Sequence, residues 1–416
     1  MSAEPTRAVV KGLEARGAEI KFVGGCVRDA FAQRPITDID IATPDLPETV
    51  IELLQLANIK VVPTGLKHGT VTAIVKNFRF EITTLRRDIE TNGRHATVAF
   101  TEDWYSDAKR RDFTINAIYT SPSGAVYDPF GGILDLGYGH VRFIGLARDR
   151  ISEDYLRILR FFRFHGQFGR GPLDREAKAA CRANAEKLQD LSHERIRNEF
   201  FKILLVPNPA DICAQMQDAQ VLQQILPQTN NIKRLRILNE IETKFINIDK
   251  VKPDPIRHLA ALLDINKTEV KDVAERLMLS KIQRRRISYI LSPKENFHVD
   301  ISEEVVQQAI RNLGSDQVMD LALLSWANAL FECTQSPNRL TKAYTRILMQ
   351  CVEWTPPKFP LSGADVLAVG VQPGPSIGKI ISRVETWWAN TGYRADRQDC
   401  LKQLSRAIIE IRKDES

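Results

Sequence analysis

Short runs in which apolar and polar residues alternate, broken by turn residues, mark the first third of this chain. Ile20–Gly25 reads as a strand entering a glycine turn, and Cys26–Gln33 as a short helix behind it. Thr37–Thr43 alternates polar and apolar positions, the pattern of a strand with one wet face. Leu46–Asn58 has the pattern of an amphipathic helix, and Gly69–Leu85 predicts two strands joined at Lys76 and Asn77. Val126–Gly145 is rich in turn residues and closes this part. From Arg150 the period changes. Arg150–Gly169 is helical with an aromatic and aliphatic face, and Glu176–Leu191 and His193–Leu205 follow as helices. Pro207 and Pro209 punctuate the next boundary; helical patterns then run to the end, interrupted near Pro253–Pro255, Pro293, Pro337 and Pro356–Pro360. The expected fold class is α+β: a small α/β head over 1–145, a helical neck over 146–206 and an all-α body and tail over 207–416.

Composition changes this picture little. A length of 416 residues suits two to four domains, and 43% hydrophobic residues can fill their cores. Lys and Arg outnumber Asp and Glu by 58 to 52, a mild excess that permits a polyanionic partner without requiring one. Six cysteines, at 26, 181, 213, 333, 351 and 400, form no CxxC pair and have no zinc-type spacing with histidine. They read as reduced thiols of a cytoplasmic protein. The first residues lack the apolar core of a signal peptide, and no apolar run approaches a membrane span, so no membrane partner is expected.

The candidate chemistry sits in the head. Gly24 and Gly25, between a strand and a helix, let backbone approach a triphosphate, and Arg28 lies one turn further on. Such a pair alone is most often a plain turn. Asp38 and Asp40 add weight, because residues i and i+2 on a strand share a face. Two carboxylates side by side repel unless a cation neutralises them. Mg²⁺ favours such oxygen ligands and bridges carboxylates to substrate phosphates.

Phe22-Val-Gly-Gly-Cys-Val-Arg-Asp29 followed by Thr37-Asp-Ile-Asp-Ile-Ala-Thr43 closely resembles the head motif of the class II tRNA nucleotidyltransferase and bacterial poly(A) polymerase superfamily. The likeness continues through Leu66–Thr72, Phe80–Arg86, Arg110–Ala117, Asp128–Gly132, Arg150–Arg160 and Glu194–Glu199, and fades beyond Val206. It implies a catalytic site for two-metal-ion nucleotidyl transfer, in which Asp38 and Asp40 hold two Mg²⁺ ions, with Glu81 on a neighbouring strand in support. It places Arg111, Asp112 and Asn116 around the phosphates and ribose of the nucleotide.

Glu153, Asp154 and Arg157 match the family's EDxxR motif, to which it assigns base reading. On a helix Asp154 and Arg157 are i, i+3 neighbours and act as one unit, with Arg160 and Arg163 continuing the stripe. A carboxylate accepts the amino group of cytosine or adenine while a guanidinium donates to the adjacent ring nitrogen; uracil and guanine reverse both roles. The implied activity is addition of CCA to the 3′ end of tRNA from CTP and ATP, with pyrophosphate released. Arg87–Ala96 resembles the flexible loop of complete CCA-adding enzymes, which favours them over the rival poly(A) polymerase. A non-catalytic RNA-binding protein would not need Asp38 and Asp40, and no adjacent His-Asp pair supports an HD-type phosphohydrolase; His258 reads as structural. The helical remainder is expected to bind tRNA by shape and phosphate contacts, with Lys233–Arg236 and Lys281–Arg286 as candidates.

Overall fold

The computed structural model describes residues 3–92, 95–265, 269–293, 297–333 and 335–414. They form two compact units, Met1–Arg236 with Asp254–Arg284, and Ile237–Pro253 with Arg285–Ser416.

The first unit contains the sheet. Its strands are β1 (Lys21–Val23), β2 (Ile39–Thr43), β3 (Lys60–Gly65), β4 (Thr70–Val75), β5 (Phe78–Thr84), β6 (Arg86–Asn92), β7 (His95–Phe100), β8 (Tyr119–Thr120) and β9 (Val126–Tyr127). Seven lie in the order β3-β4-β5-β2-β1-β8-β9, while β6 and β7 pair separately as a hairpin. Every pairing is antiparallel except that of β2 with β5, which sets Asp40 directly across from Glu81. The alternation in β2 explains its central place. Ile41 enters one apolar layer with Val27, Leu54, Phe80 and Ile82, and Ala42 enters the opposite layer with Leu85, Ala108, Tyr119 and Ile144. Asp40 therefore shares the Ala42 face.

Lys76, at φ 55°, makes the expected junction between β4 and β5. The segment 126–145 is more ordered than its turn residues suggest, with β9 and a helix over Gly132–Tyr138. The cause is local: the Asp128 carboxylate accepts the N–H groups of Gly132 and Ile133 at 2.8 and 2.9 Å, satisfying the first turn.

Helix Leu156–Phe168 carries an apolar face that packs on the head. Phe113 contacts Phe143 and Phe164 at ring distances of 4.6 and 5.3 Å, and Phe143 stacks on Phe161. Phe161 and Phe162 are fully buried, each worth about 1.5–3 kcal/mol relative to exposure. The second unit is helical. Trp326, on helix Ser315–Phe331, stacks on Tyr344 of helix Pro337–Glu353 at 5.8 Å. A further cluster around Trp388 joins helices Gly363–Ala368, Pro375–Asn390 and Arg397–Asp414. No helix among the described residues is long and apolar enough to cross a membrane. All six cysteines are free.

Candidate active site

Asp40 is the second residue of β2 and half-buried; Asp38 lies just ahead of the strand and is exposed, receiving a 3.1 Å hydrogen bond from the Thr37 hydroxyl. Asp38 thus lies outside the strand, and the expected face shared by two strand residues holds for Asp40 alone. Burial, then the Glu81 charge and the Asp38 charge, push the Asp40 carboxyl up to about 6 against the opposing pull of Arg111 and Arg28. A crowded carboxylate of this kind is short of positive charge, which a cation would supply. Among the described residues no three His, Cys, Asp or Glu side chains could hold a metal ion by themselves. A cation held by Asp38 and Asp40 would draw its other oxygens from substrate phosphates and water, the coordination that Mg²⁺ favours. The residues fit the group.

Gly24 adopts φ 73°, ψ −128°, open to glycine and strained for other residues. A Cβ there would lie 3.4 Å from Arg111 Nη1 and 3.7 Å from Asp40 Oδ2. The Gly24 N–H already donates to the Ile118 carbonyl at 3.4 Å. Gly24 thus keeps the space between Arg111 and Asp40 clear, in place of the expected amide contact. Gly25 opens the helix Gly25–Phe31.

Arg111 is held on two sides. Its Nε donates to the Tyr119 hydroxyl at 3.0 Å and its Nη2 to Asp107 at 3.2 Å. Asp107 is 1% exposed and also accepts from Arg110 Nε at 2.9 Å and from the Tyr119 hydroxyl at 2.7 Å. Asp107 and Tyr119 were not among the sequence candidates. The signal for Asp107 is present in the spacing: Asp107, Arg110 and Arg111 are i, i+3 and i+4 at the end of helix Trp104–Lys109.

Four other candidates meet as one chain of hydrogen bonds. Arg28 Nη1 donates to Asn116 Oδ1 at 2.6 Å, and Asn116 Nδ2 donates to Asp112 Oδ1 at 3.0 Å. Arg160 Nε donates to Asp112 Oδ2 at 2.7 Å. Arg28 also pairs with Asp29 and lies over the Phe168 ring at 4.5 Å. Arg163 is buried, bonded to Glu199 and 4.0 Å above the Phe164 ring. This network ties helix Leu156–Phe168 to the head.

The network gives a pH signature. Burial raises the Asp112 pKa, but the charge and hydrogen bonds of Arg160, the Asn116 amide and the Arg157 charge outweigh it and hold the carboxyl at about 2. The folded value lies below the unfolded one near 4. The stabilisation, about 2 kcal/mol, is therefore complete above about pH 4 and fades as pH falls towards 2. Denaturant midpoints between pH 5 and 2.5 test this: wild type loses that increment and Asp112→Asn does not. Equal acid sensitivity in both would contradict it.

The EDxxR segment departs from expectation. Asp154 is the extended residue, φ −156°, that ends helix Ala147–Glu153, so Asp154 and Arg157 do not share one helix. Asp154 Oδ1 accepts the Leu156 N–H at 3.2 Å and Oδ2 accepts from Arg195 at 2.7 Å. Arg157 Nη1 donates to Glu153 at 2.6 Å and to the Arg150 carbonyl at 2.8 Å. The break arises because the Asp154 carboxylate offers a cap to the Leu156 N–H two residues on, between the end of one helix and the start of another. Acceptor and donor are thus held separately, by Arg195 and Glu153.

The basic clusters are partly structural. Arg234 donates to the Ala260 and Ala261 carbonyls at 3.1 and 2.7 Å, capping helix Pro255–Leu262, and Arg236 forms an exposed pair with Asp211. Arg286 grips the buried Asp320 at 2.6 and 2.8 Å. Lys281, Arg284 and Arg285 are exposed. His258 is buried with Nδ1 2.6 Å from the Leu204 carbonyl, a structural place as expected.

Comparison with known proteins follows the same line. A family model for the poly(A) polymerase head domain matches residues 20–142, and one for a probable RNA- and SrmB-binding site of polymerase A matches residues 172–233. The chain is 33% identical over 396 residues, 93% of its length and 87% of the relative's, to the mitochondrial CCA tRNA nucleotidyltransferase 1 of Mus musculus. It is 42% identical over 199 residues to the CCA-adding enzyme of Lactobacillus delbrueckii subsp. bulgaricus, covering 47% of this chain and 49% of that one. The structure of the Bacillus stearothermophilus CCA-adding enzyme in complex with CTP superposes with a TM-score of 0.73 at 25% identity, covering 99% of this chain and 98% of that one. The chain belongs to the CCA tRNA nucleotidyltransferases of the class II CCA-adding and poly(A) polymerase superfamily.

Proposed function

We propose that this protein adds the 3′-terminal CCA sequence to tRNA from CTP and ATP, without a nucleic-acid template, releasing pyrophosphate at each step. The observation that carries the reading is the meeting of Asp40 with Asp38 and Glu81 beside Gly24, with Arg111 across the gap. Nucleotidyltransferases of this family depend on divalent metal, and we assign Mg²⁺, held by Asp38 and Asp40 with Glu81 in support. When bound, Mg²⁺ lowers the cost of charge on the attacking hydroxyl and the departing pyrophosphate. Arg111 offers a guanidinium to the phosphates across the gap that Gly24 leaves open. Arg28, Asn116, Asp112 and Arg160 set the neck helix against the head and line the ribose side. Asp154 and Arg157 read the base edge. In this division of labour residues 1–145 carry the chemistry, 146–206 read the nucleotide and 207–416 hold the tRNA. Purified protein given tRNA that lacks its CCA end and labelled CTP or ATP tests the reading. Incorporation of CTP first, then ATP, with pyrophosphate released, is expected; a growing poly(A) tail would favour the polymerase instead.

The β6–β7 hairpin supports complete CCA addition. Its paired backbone spans Arg86–Asn92 and His95–Phe100; residues 93–94 lie outside the described residues. The base is anchored: Arg86 donates to the His68 carbonyl, and Phe100 lies against Gly69, where a Cβ would come within 2.7 Å of its ring. Replacing residues 88–95 with a tight turn should spare both C additions and cut terminal A addition by at least about tenfold, if the hairpin contributes the energy of one good charged contact to the switch. Sequencing product 3′ ends checks this, and equal loss at all three positions would make the hairpin structural.

A further inference from the structure

We infer that Asp107 is a positioning residue: it aims Arg111 at the space between Gly24 and Asp40, where the phosphates of the nucleotide would lie. This rests on the reading of a nucleoside triphosphate substrate and adds a residue that lies outside the segments in which the family resemblance was read.

A buried guanidinium needs an acceptor for each of its N–H groups. Arg111 has five N–H donors, and its side chain is only 18% exposed. Alone, it would turn towards the nearest carboxylate. Asp40 is such a group: Arg111 Nη1 and Asp40 Oδ2 flank the same narrow space at Gly24, 3.4 and 3.7 Å from where its Cβ would be. Two contacts oppose that collapse. The Tyr119 hydroxyl takes Nε at 3.0 Å, and Asp107 takes Nη2 at 3.2 Å. Nη1 then faces the open side, 3.4 Å from where a Gly24 Cβ would be. The clamp is itself fixed, because the Tyr119 hydroxyl donates to the same Asp107 oxygen at 2.7 Å. Asp107 Oδ1 is occupied by Arg110 at 2.8 Å and by the Arg86 N–H at 3.3 Å, so the carboxylate cannot turn away. Against burial, which would raise it, Arg111 and Arg110 hold the Asp107 carboxyl well below the usual range, so it stays charged.

A purely structural ion pair would affect every ligand alike, whereas an aimed guanidinium acts in proportion to the phosphate charge it faces, three phosphates on CTP against one on CMP. The test is equilibrium binding of CTP and of CMP, with Ca²⁺ replacing the catalytic ion and tRNA omitted. Wild type, Asp107→Asn and Tyr119→Phe are compared. Asp107→Asn should weaken CTP binding about tenfold or more, as loss of a charged hydrogen bond does, while CMP changes less than about twofold. Tyr119→Phe should shift CTP in the same direction by a smaller factor. In turnover, KM for the nucleotide should rise more than kcat falls. Equal weakening of CTP and CMP, or unchanged CTP binding in either folded variant, would overturn the assignment. If Asp107→Asn fails to fold, Tyr119→Phe alone decides it. A wild-type protein that does not prefer CTP over CMP would instead overturn the triphosphate reading on which this rests.

Discussion

Asp40→Ala lowers nucleotide addition by about three orders of magnitude, the scale felt when one electrostatic stabiliser of a transition state is removed. The protein stays folded, because Asp40 is a half-buried polar residue near the start of β2 while the strand is held by Ile41 and Ala42 in the apolar layers. Removing it relieves repulsion with Glu81 and Asp38, so thermal stability holds or rises. Asp38→Ala acts in the same direction with less structural consequence, since Asp38 is exposed and its hydrogen bond is to the adjacent Thr37. The discriminating pattern is lost turnover with kept or improved stability. It is read by single-turnover incorporation beside a thermal melt. Near-normal incorporation by either folded variant would remove the metal site from β2.

Arg157→Ala or Asp154→Ala relaxes the rejection of UTP and GTP. A correct bidentate contact contributes about 1–3 kcal/mol of discrimination, and a site that leaves its polar groups unpaired with the wrong base reaches about 10⁴-fold selectivity. Asp154 takes Arg195, and Arg157 takes Glu153, so each reader has a partner of its own. Truncating one therefore leaves the other oriented, and selectivity falls by part of its range. Arg195→Ala should act through Asp154, relaxing discrimination less than Asp154→Ala does. The measurement is kcat/KM for all four nucleotides on tRNA ending before CCA. Unchanged discrimination in active Asp154 and Arg157 variants would mean that these residues do not read the base.

The strand that carries the candidate site, β2, was legible because its signals are local. The glycine turn, the alternation in Thr37–Thr43 and the Lys76–Asn77 junction each depend on neighbours in sequence. What escaped depends on partners far along the chain. The break at Asp154 has no proline or glycine to announce it; it comes from a carboxylate capping Leu156 and pairing with Arg195 on another helix. Arg28, Asn116, Asp112 and Arg160 are separately plausible ligand contacts, and only folding joins them. Arg234 and Arg286 sit in basic runs that look solvated, yet one caps a helix and the other pairs with a buried aspartate. The helix Gly132–Tyr138 hid behind its glycines because its cap, Asp128, precedes them by several residues. Asp107 is the exception, visible in its i, i+3, i+4 spacing but outside the glycine and carboxylate motifs that first draw the eye.

Purified protein, tRNA ending before its CCA, and all four nucleotides in equal competition test the central claim most directly, through sequencing of the tRNA 3′ ends. Protein-directed addition predicts ends that read C, then CC, then CCA and stop, with U and G absent at all three positions. Ends extended by a run of A, by mixed bases, or not at all would contradict it.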